Sequence, residues 1–253
     1  MKCGKDIRNK MRKALVSGCN RGIGLAITEK FLEEGFFVIG TYRTLTKEIE
    51  VLQDRYRDKL QLHIIDFSYP EDLEIFYAKI LQHEMVDTLV NNASMSQRKP
   101  FLELTDEDWT QLFNVNLFSA IKLTKFLLPQ MKDRKFGRII NITSVAGQSG
   151  GVHQVHYAAA KAGLINFTKS LTRSFSEFGI NSNCISPGAI DTEMIAPELP
   201  KTREEYEDFL KAIPMRRLGS AREVAEVAFF LASNKATYIT GQSININGGT
   251  YLG

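Results

Sequence analysis

From Lys13 onward, short and nearly continuous apolar runs alternate with longer stretches in which apolar residues recur every three or four positions. The short runs are KALVSG, FFVIGTY, LQLHIID, VDTLVNN, GRIINITS, INSNCISPG and SININGG, and they read as seven strands. GLAITEKFLEEG, a charged stretch near 45–57, and stretches near 70–83, 106–132, 157–178 and 220–233 read as helices. Strands that alternate with helices build successive strand–helix–strand units, whose right-handed crossovers give one parallel sheet covered on both faces. The expected class is α/β, in a single domain over 13–253. The stretch 192–215 has three prolines and little periodicity and is expected to be irregular, and loops of that length in compact domains are usually functional. No repeat, low-complexity tract or linker interrupts the series.

Composition narrows the classes. A hydrophobic fraction of 43% and a charged fraction of 24% are those of an ordinary globular chain, and a net charge of +3 does not argue for nucleic acid. Cys3, Cys19 and Cys184 are scattered and form no CxxC pair, so neither a metal site nor a disulfide framework is expected, and a reducing, cytoplasmic setting is. No run approaches the eighteen or so apolar residues of a membrane span. The opening MKCGKDIRNK is polar and unpatterned, which predicts a frayed or disordered N-terminal prefix over 1–12.

The chemistry concentrates at Tyr157-Ala158-Ala159-Ala160-Lys161. Residues four apart share one helix face, so Lys161 can stand beside the Tyr157 hydroxyl and depress its pKa from the ordinary value of about 10. Tyr157 is thereby a candidate general acid/base. Ser17-Gly18-Cys19-Asn20-Arg21-Gly22-Ile23-Gly24 leaves the first strand and opens the first helix. Glycines there let the backbone approach a pyrophosphate, whose charge meets the free N–H groups of the helix start. The second strand ends Gly40-Thr41-Tyr42-Arg43; a carboxylate there would select NAD, whereas Arg43, with Arg21 in the glycine loop, is placed for a 2′-phosphate. NADP(H) is therefore the expected cofactor.

The spacing Gly18, Gly22, Gly24, together with Tyr157 and Lys161, resembles the short-chain dehydrogenase/reductase family, and further motifs follow in that family's order. Asn91-Asn92-Ala93-Ser94 is similar to its NNAG motif with serine in place of glycine, which puts the backbone freedom of that position in question. Asn114-Val115-Asn116-Leu117, Asn141-Ile142-Thr143-Ser144 and Pro187-Gly188-Ala189-Ile190-Asp191-Thr192 complete the set. The resemblance covers 13–250 and implies a Rossmann-type, doubly wound sheet. It implies that Tyr157 donates a proton to a carbonyl, that Ser144 holds the same oxygen, that Lys161 binds the nicotinamide ribose and that Asn116 holds a relay water. Ser17, Gly18, Asn20, Arg21, Gly22, Ile23, Gly24, Tyr42, Arg43, Asp66, Phe67, Asn92, Ala93, Pro187, Gly188, Ile190 and Thr192 are then the cofactor contacts, with Tyr157 and Lys161.

The Tyr157 helix and the C-terminal YITGQSININGG look most like the 3-oxoacyl-acyl-carrier-protein reductase branch, so a 3-oxoacyl thioester is the first substrate expected. Sugars, polyols and small ketones are the alternative, and a nucleotide sensor without chemistry is a third reading. The resemblance implies that the stretch 192–215 is a mobile lid over the substrate. Lys132, Arg134, Lys135 and Arg138 could steer an acidic acyl carrier protein, against which stand the six acids of that stretch, from Glu193 to Asp208. His153, just before the Tyr157 helix, could touch substrate, whereas His156 should point away from Tyr157. Phe113, Leu117, Phe126, Leu164, Phe167 and Leu171 add apolar surface to the two long helices, and the resemblance implies that these pair into a homotetramer.

Overall fold

Each apolar run does become a strand and each periodic stretch a helix. The computed structural model describes residues 11–253. The first half comprises β1 (Lys13–Ser17), α1 (Gly22–Glu33), β2 (Phe37–Tyr42), α2 (Lys47–Arg55), β3 (Leu60–Ile64), α3 (Pro70–Lys79) and β4 (Thr88–Asn91). Next come α4 (Asp106–Phe113), a π turn (Asn114–Phe118), α5 (Ser119–Arg134), β5 (Gly137–Ile142), the short α6 (Ala146–Ser149) and α7 (Val155–Phe175). The chain closes with β6 (Ile180–Pro187), β7 (Ile190–Asp191), α8 (Arg203–Lys211), β8 (Gly219–Ser220), α9 (Ala221–Ala232) and β9 (Ser243–Ile246). The prefix expected over 1–12 lies outside the described residues except for Met11 and Arg12. Arg12 is held by the fold: it donates to the Ala232 carbonyl at 2.8 Å and lies over the rings of Phe36 and Phe136.

The main sheet has seven strands in the order β3-β2-β1-β4-β5-β6-β9, and every neighbouring pair is parallel. Leu15 stands opposite Ile39 on one side and Leu89 on the other. Side chains alternate between faces, so each strand feeds two cores. Ala14, Val16, Val38 and Ile140 join the core that includes Phe31 of α1 and Val224 of α9. Leu15, Ile39, Leu89 and Ile139 join the core that includes Leu73 of α3, Leu123 and Leu127 of α5 and Leu171 of α7. On the first face Phe31, Phe36 and Phe229 meet edge to face, which fixes α1 against α9. The strand order reverses between β1 and β4, and a crevice opens there at the carboxyl ends of the strands.

Three features depart from the periodicity. The helix expected over 106–132 is interrupted by the π turn, whose extra residue per turn turns Val115 and Asn116 inward. The irregular stretch 192–215 contains α8, which buries no residue and rests on its Thr202 cap and an Arg203–Glu207 pair instead of an apolar face. Strands β7 and β8 pair over two residues each, too short for any pattern to announce. No helix among the described residues is long and apolar enough to cross a membrane, and no cluster of metal-ligating side chains occurs among them.

Candidate active site

The crevice at the strand reversal is a cleft of about 700 Å³. Every expected cofactor contact lines it except Ser17, as do Ser144, Tyr157 and Lys161. Ser17 and Asn116 stand behind the wall and shape it. Ser17 Oγ accepts from the N–H groups of Asn92 and Ala93, each at 3.0 Å, and Asn92 donates to the carbonyls of Ser17 and Gly18 at 3.0 and 2.9 Å. The glycine loop is thereby sewn to the loop after β4. Gly24 is required by closeness, because a Cβ there would run into the Gly18 carbonyl and Asn92 Nδ2; Gly18 is required by its φ of +67°. This cradle, at the N-terminus of α1, fits a dinucleotide pyrophosphate.

Around the far end of the cleft the loops after β1 and β2 are tied together. Asn20 donates to the Thr44 carbonyl at 2.7 Å, and Thr46 donates to the Asn20 carbonyl at the same distance. Tyr42 is buried in the core where a carboxylate would be needed to favour NAD, and Arg43 is exposed beside it. Arg21 meets Glu193, just after β7, at 3.3 Å in an exposed pair. Asp66 accepts from the Ser68 N–H at 2.9 Å, which orients it at the cleft wall.

At the chemical end, β5 delivers Ser144 and α7 delivers Tyr157 and Lys161. Tyr157 is 9% exposed and Lys161 is 1% exposed. Burial pushes the Tyr157 phenol above its ordinary pKa, against which the Ser144 and Ser94 hydroxyls pull it down; the Glu198 carboxylate adds to the rise. Burial pushes Lys161 down to about 8. The expected depression of Tyr157 by Lys161 is thus not found. Lys161 Nζ lies 5.6 Å from the centre of the Tyr157 ring and donates to the Ile142 carbonyl at 2.9 Å, and desolvation dominates both groups.

Asn116 is bonded through its side chain on both sides. Its Oδ1 accepts from the Met95 N–H and its Nδ2 donates to the Met95 carbonyl, each at 2.8 Å, so the side chain clamps the loop after β4. Ser94 has no left-handed backbone, so serine at the usual glycine position carries no strain. His153 is exposed with a φ of +57° and is not part of the cleft wall; its neighbour Gln154 is. His156 is fully buried, faces Gln97 Oε1 at 3.1 Å and packs against Trp109, as the helix period predicts.

The periodicity gave no sign of a polar network on the substrate side. Gln154 donates to Ser96 Oγ at 3.3 Å and to Glu198 at 2.7 Å, and Glu198 pairs with Arg98 at 3.4 Å. These residues come from three separate segments, which only the fold brings together. The basic cluster lies away from the cleft of its own protomer. Lys132, Arg134, Lys135 and Arg138 lie at the amino end of β5, the rim opposite Ser144. There Arg134 pairs with Asp87 at 2.6 Å and the buried Arg138 bonds to the carbonyls of Gly137 and Gly179. Cys19 and Cys184 are buried and unpaired, with burial holding their thiols up at about 12 and about 11, so neither is poised as a nucleophile.

Residues 18–251 match the family model described as enoyl-(acyl carrier protein) reductase. The chain is 39% identical to nodulation protein G of Rhizobium sp. (strain N33), over 94% of this chain and 96% of that protein. It is 39% identical to the 3-oxoacyl-(acyl-carrier-protein) reductase of Haemophilus influenzae, over 94% and 98%. Among solved structures, an NADPH-dependent reductase involved in bacilysin biosynthesis superposes with a TM-score of 0.88 at 31% identity, over 96% of this chain and all of that one. A candidate NAD(P)-dependent gluconate 5-dehydrogenase from Beutenbergia cavernae, with NADP bound, superposes with 0.88 at 28% identity over 94% and 96%. The cleft, its glycine cradle and the Ser144–Tyr157–Lys161 group agree with these likenesses: the chain belongs to the short-chain dehydrogenase/reductase family, oxidoreductases that act on CH–OH and C=O groups with a nicotinamide cofactor.

Proposed function

We propose that the protein is a cytoplasmic, NADPH-dependent reductase of a substrate carbonyl, with a 3-oxoacyl thioester as the leading substrate. The observation that carries the reading is the meeting of Ser144, Tyr157 and Lys161 in one cleft below the glycine cradle. A bound nicotinamide supplies the hydride. Ser144 donates a hydrogen bond to the carbonyl oxygen and places it against Tyr157, which gives its phenolic proton to that oxygen. Lys161 has N–H groups beyond the one given to Ile142 with which to hold ribose hydroxyls. Arg43 and Arg21 supply charge for a 2′-phosphate, and the buried Tyr42 offers no carboxylate to repel it. A nucleotide sensor would not need the proton-transfer group kept intact.

The thioester reading draws on the named relatives. A second reading, a sugar, polyol or small ketone, draws on the Arg98–Glu198–Gln154–Ser96 network, which offers hydroxyl and carboxyl partners where an acyl chain needs apolar wall. Both are tested by kcat/KM for a 3-oxoacyl group on acyl carrier protein, the same group on a pantetheine mimic, and a keto-gluconate, each at low and high salt. Preference for the carrier-bound form that falls with salt supports a carrier partner. Equal, salt-insensitive thioester rates remove the carrier, and preference for the keto-acid installs the second reading. Arg43→Ala with Arg21→Ala should raise the Kd for NADPH about 10- to 100-fold and leave NADH nearly unchanged, given that charge-assisted phosphate contacts are the stronger kind.

A further inference from the structure

The loop after β4 is fixed on both sides of one residue. Ser17 holds the N–H groups of Asn92 and Ala93, and Asn116 grips both polar groups of the Met95 main chain. Between these clamps stands Ser94, whose hydroxyl lines the cleft. Its Oγ is buried and lacks a hydrogen-bond partner of ordinary geometry, yet it faces the Tyr157 phenol together with Ser144. A buried hydroxyl without a partner is costly, and the clamps on both sides fix the backbone that carries this one beside Tyr157.

We infer that Ser94 is a positioning residue for proton transfer, its hydroxyl donating a hydrogen bond to the Tyr157 oxygen when that oxygen is phenolate. The inference rests on the carbonyl-reductase reading and deepens it. During reduction the hydride pair goes from the nicotinamide to the carbonyl carbon, the Tyr157 O–H bond breaks and the substrate O–H bond forms. The tyrosine oxygen keeps the electron pair, and solvent later returns its proton. The Ser94 O–H bond stays intact throughout and stabilises the negative oxygen. Such help is needed here, since burial opposes the phenolate, Glu198 repels it, and Lys161 is turned to the Ile142 carbonyl.

The test is a tyrosinate absorbance titration at saturating NADP⁺, with cofactor-free protein as a second arm. Ser94→Ala, Ser94→Gly and Ser94→Thr are compared with wild type, and Tyr157→Phe in each background isolates the signal of Tyr157. Loss of the hydroxyl should move the Tyr157 midpoint up by about one pH unit in both Ala and Gly variants, while Thr, which keeps the hydroxyl, stays within a few tenths. Cofactor affinity and melting temperature should hardly move. Unshifted midpoints in the Ala and Gly variants, or a shift in Thr equal to theirs, would overturn the assignment. The titration needs no substrate, so failure to reduce any carbonyl probe would count against the reductase reading and leave this result standing.

Discussion

Tyr157 and Lys161 are both asked to carry charge where burial resists it. Tyr157→Phe removes only the hydroxyl, so turnover should fall by roughly 10²- to 10⁴-fold with NADPH affinity within about twofold of wild type. Retention of more than about a tenth of kcat would remove Tyr157 as the acid. For Lys161 the sign follows from its shift from an ordinary 10.5 to about 8. Below pH 8 the group is charged in both folded and unfolded chains, and the cost of burying it is fully present. Between about pH 8 and 10.5 the unfolded chain binds a proton that the folded one does not, so stability rises with pH across that window. Lys161→Met should therefore be inactive yet melt a few degrees higher at pH 7, with its advantage shrinking across the window. Scanning calorimetry at several pH values reads this out, and an unchanged or lower melting temperature at pH 7 would mean that the lysine is not strained. The spacing of Tyr157 and Lys161 was legible in the chain. The hydrogen bond from Lys161 to Ile142 was not, because nineteen residues and a strand-to-helix turn separate the partners.

The segment between Thr192 and Met215 is tied down by the Gln154–Glu198 hydrogen bond, by the Met215 N–H to the Gly248 carbonyl, and by two solvent-facing ion pairs, Arg21–Glu193 to the glycine loop and Arg98–Glu198 to the loop after β4. Exposed pairs contribute about 0–1 kcal/mol each and weaken with salt, so the two ion pairs add little to that hold. Arg21 cannot serve Glu193 and a 2′-phosphate equally well. Glu193→Gln should thus lower the Kd for NADPH several-fold and leave that for NADH unchanged in fluorescence titrations. An equal effect on both cofactors would place Arg21 away from the phosphate. Elements with an apolar face, such as α1 and α7, could be read from periodicity, as could all seven sheet strands. Helix α8, the π turn and the β7–β8 pair could not, since each is defined by capping, local winding or two-residue pairing instead of burial. Ser96, Arg98, Gln154 and Glu198 escaped for a related reason: polar residues on loops carry no period, and their meeting is a product of the tertiary fold.

Two of the residues expected to extend the apolar surface of the long helices, Leu164 and Leu171, are spent in the protomer's own core. Phe113, Leu117, Phe126 and Phe167 remain half-buried, and Phe118 is 46% exposed. That surface still suits pairing with other copies, and a homotetramer is the expected species in sedimentation and light scattering. Phe118→Glu should shift it to smaller assemblies; a wild-type monomer at micromolar concentration would dismiss the expectation. The parallel sheet has one further consequence. Its carboxyl rim holds the cleft, while its amino rim holds Arg134 bonded to Asp87 and Arg138 bonded to the carbonyls of Gly137 and Gly179. Robustness and selectivity therefore reside in different neighbourhoods of the molecule. A laboratory lineage bred for heat tolerance at the amino rim and one bred for new substrates at the cleft could be crossed with little interference between the two sets of changes.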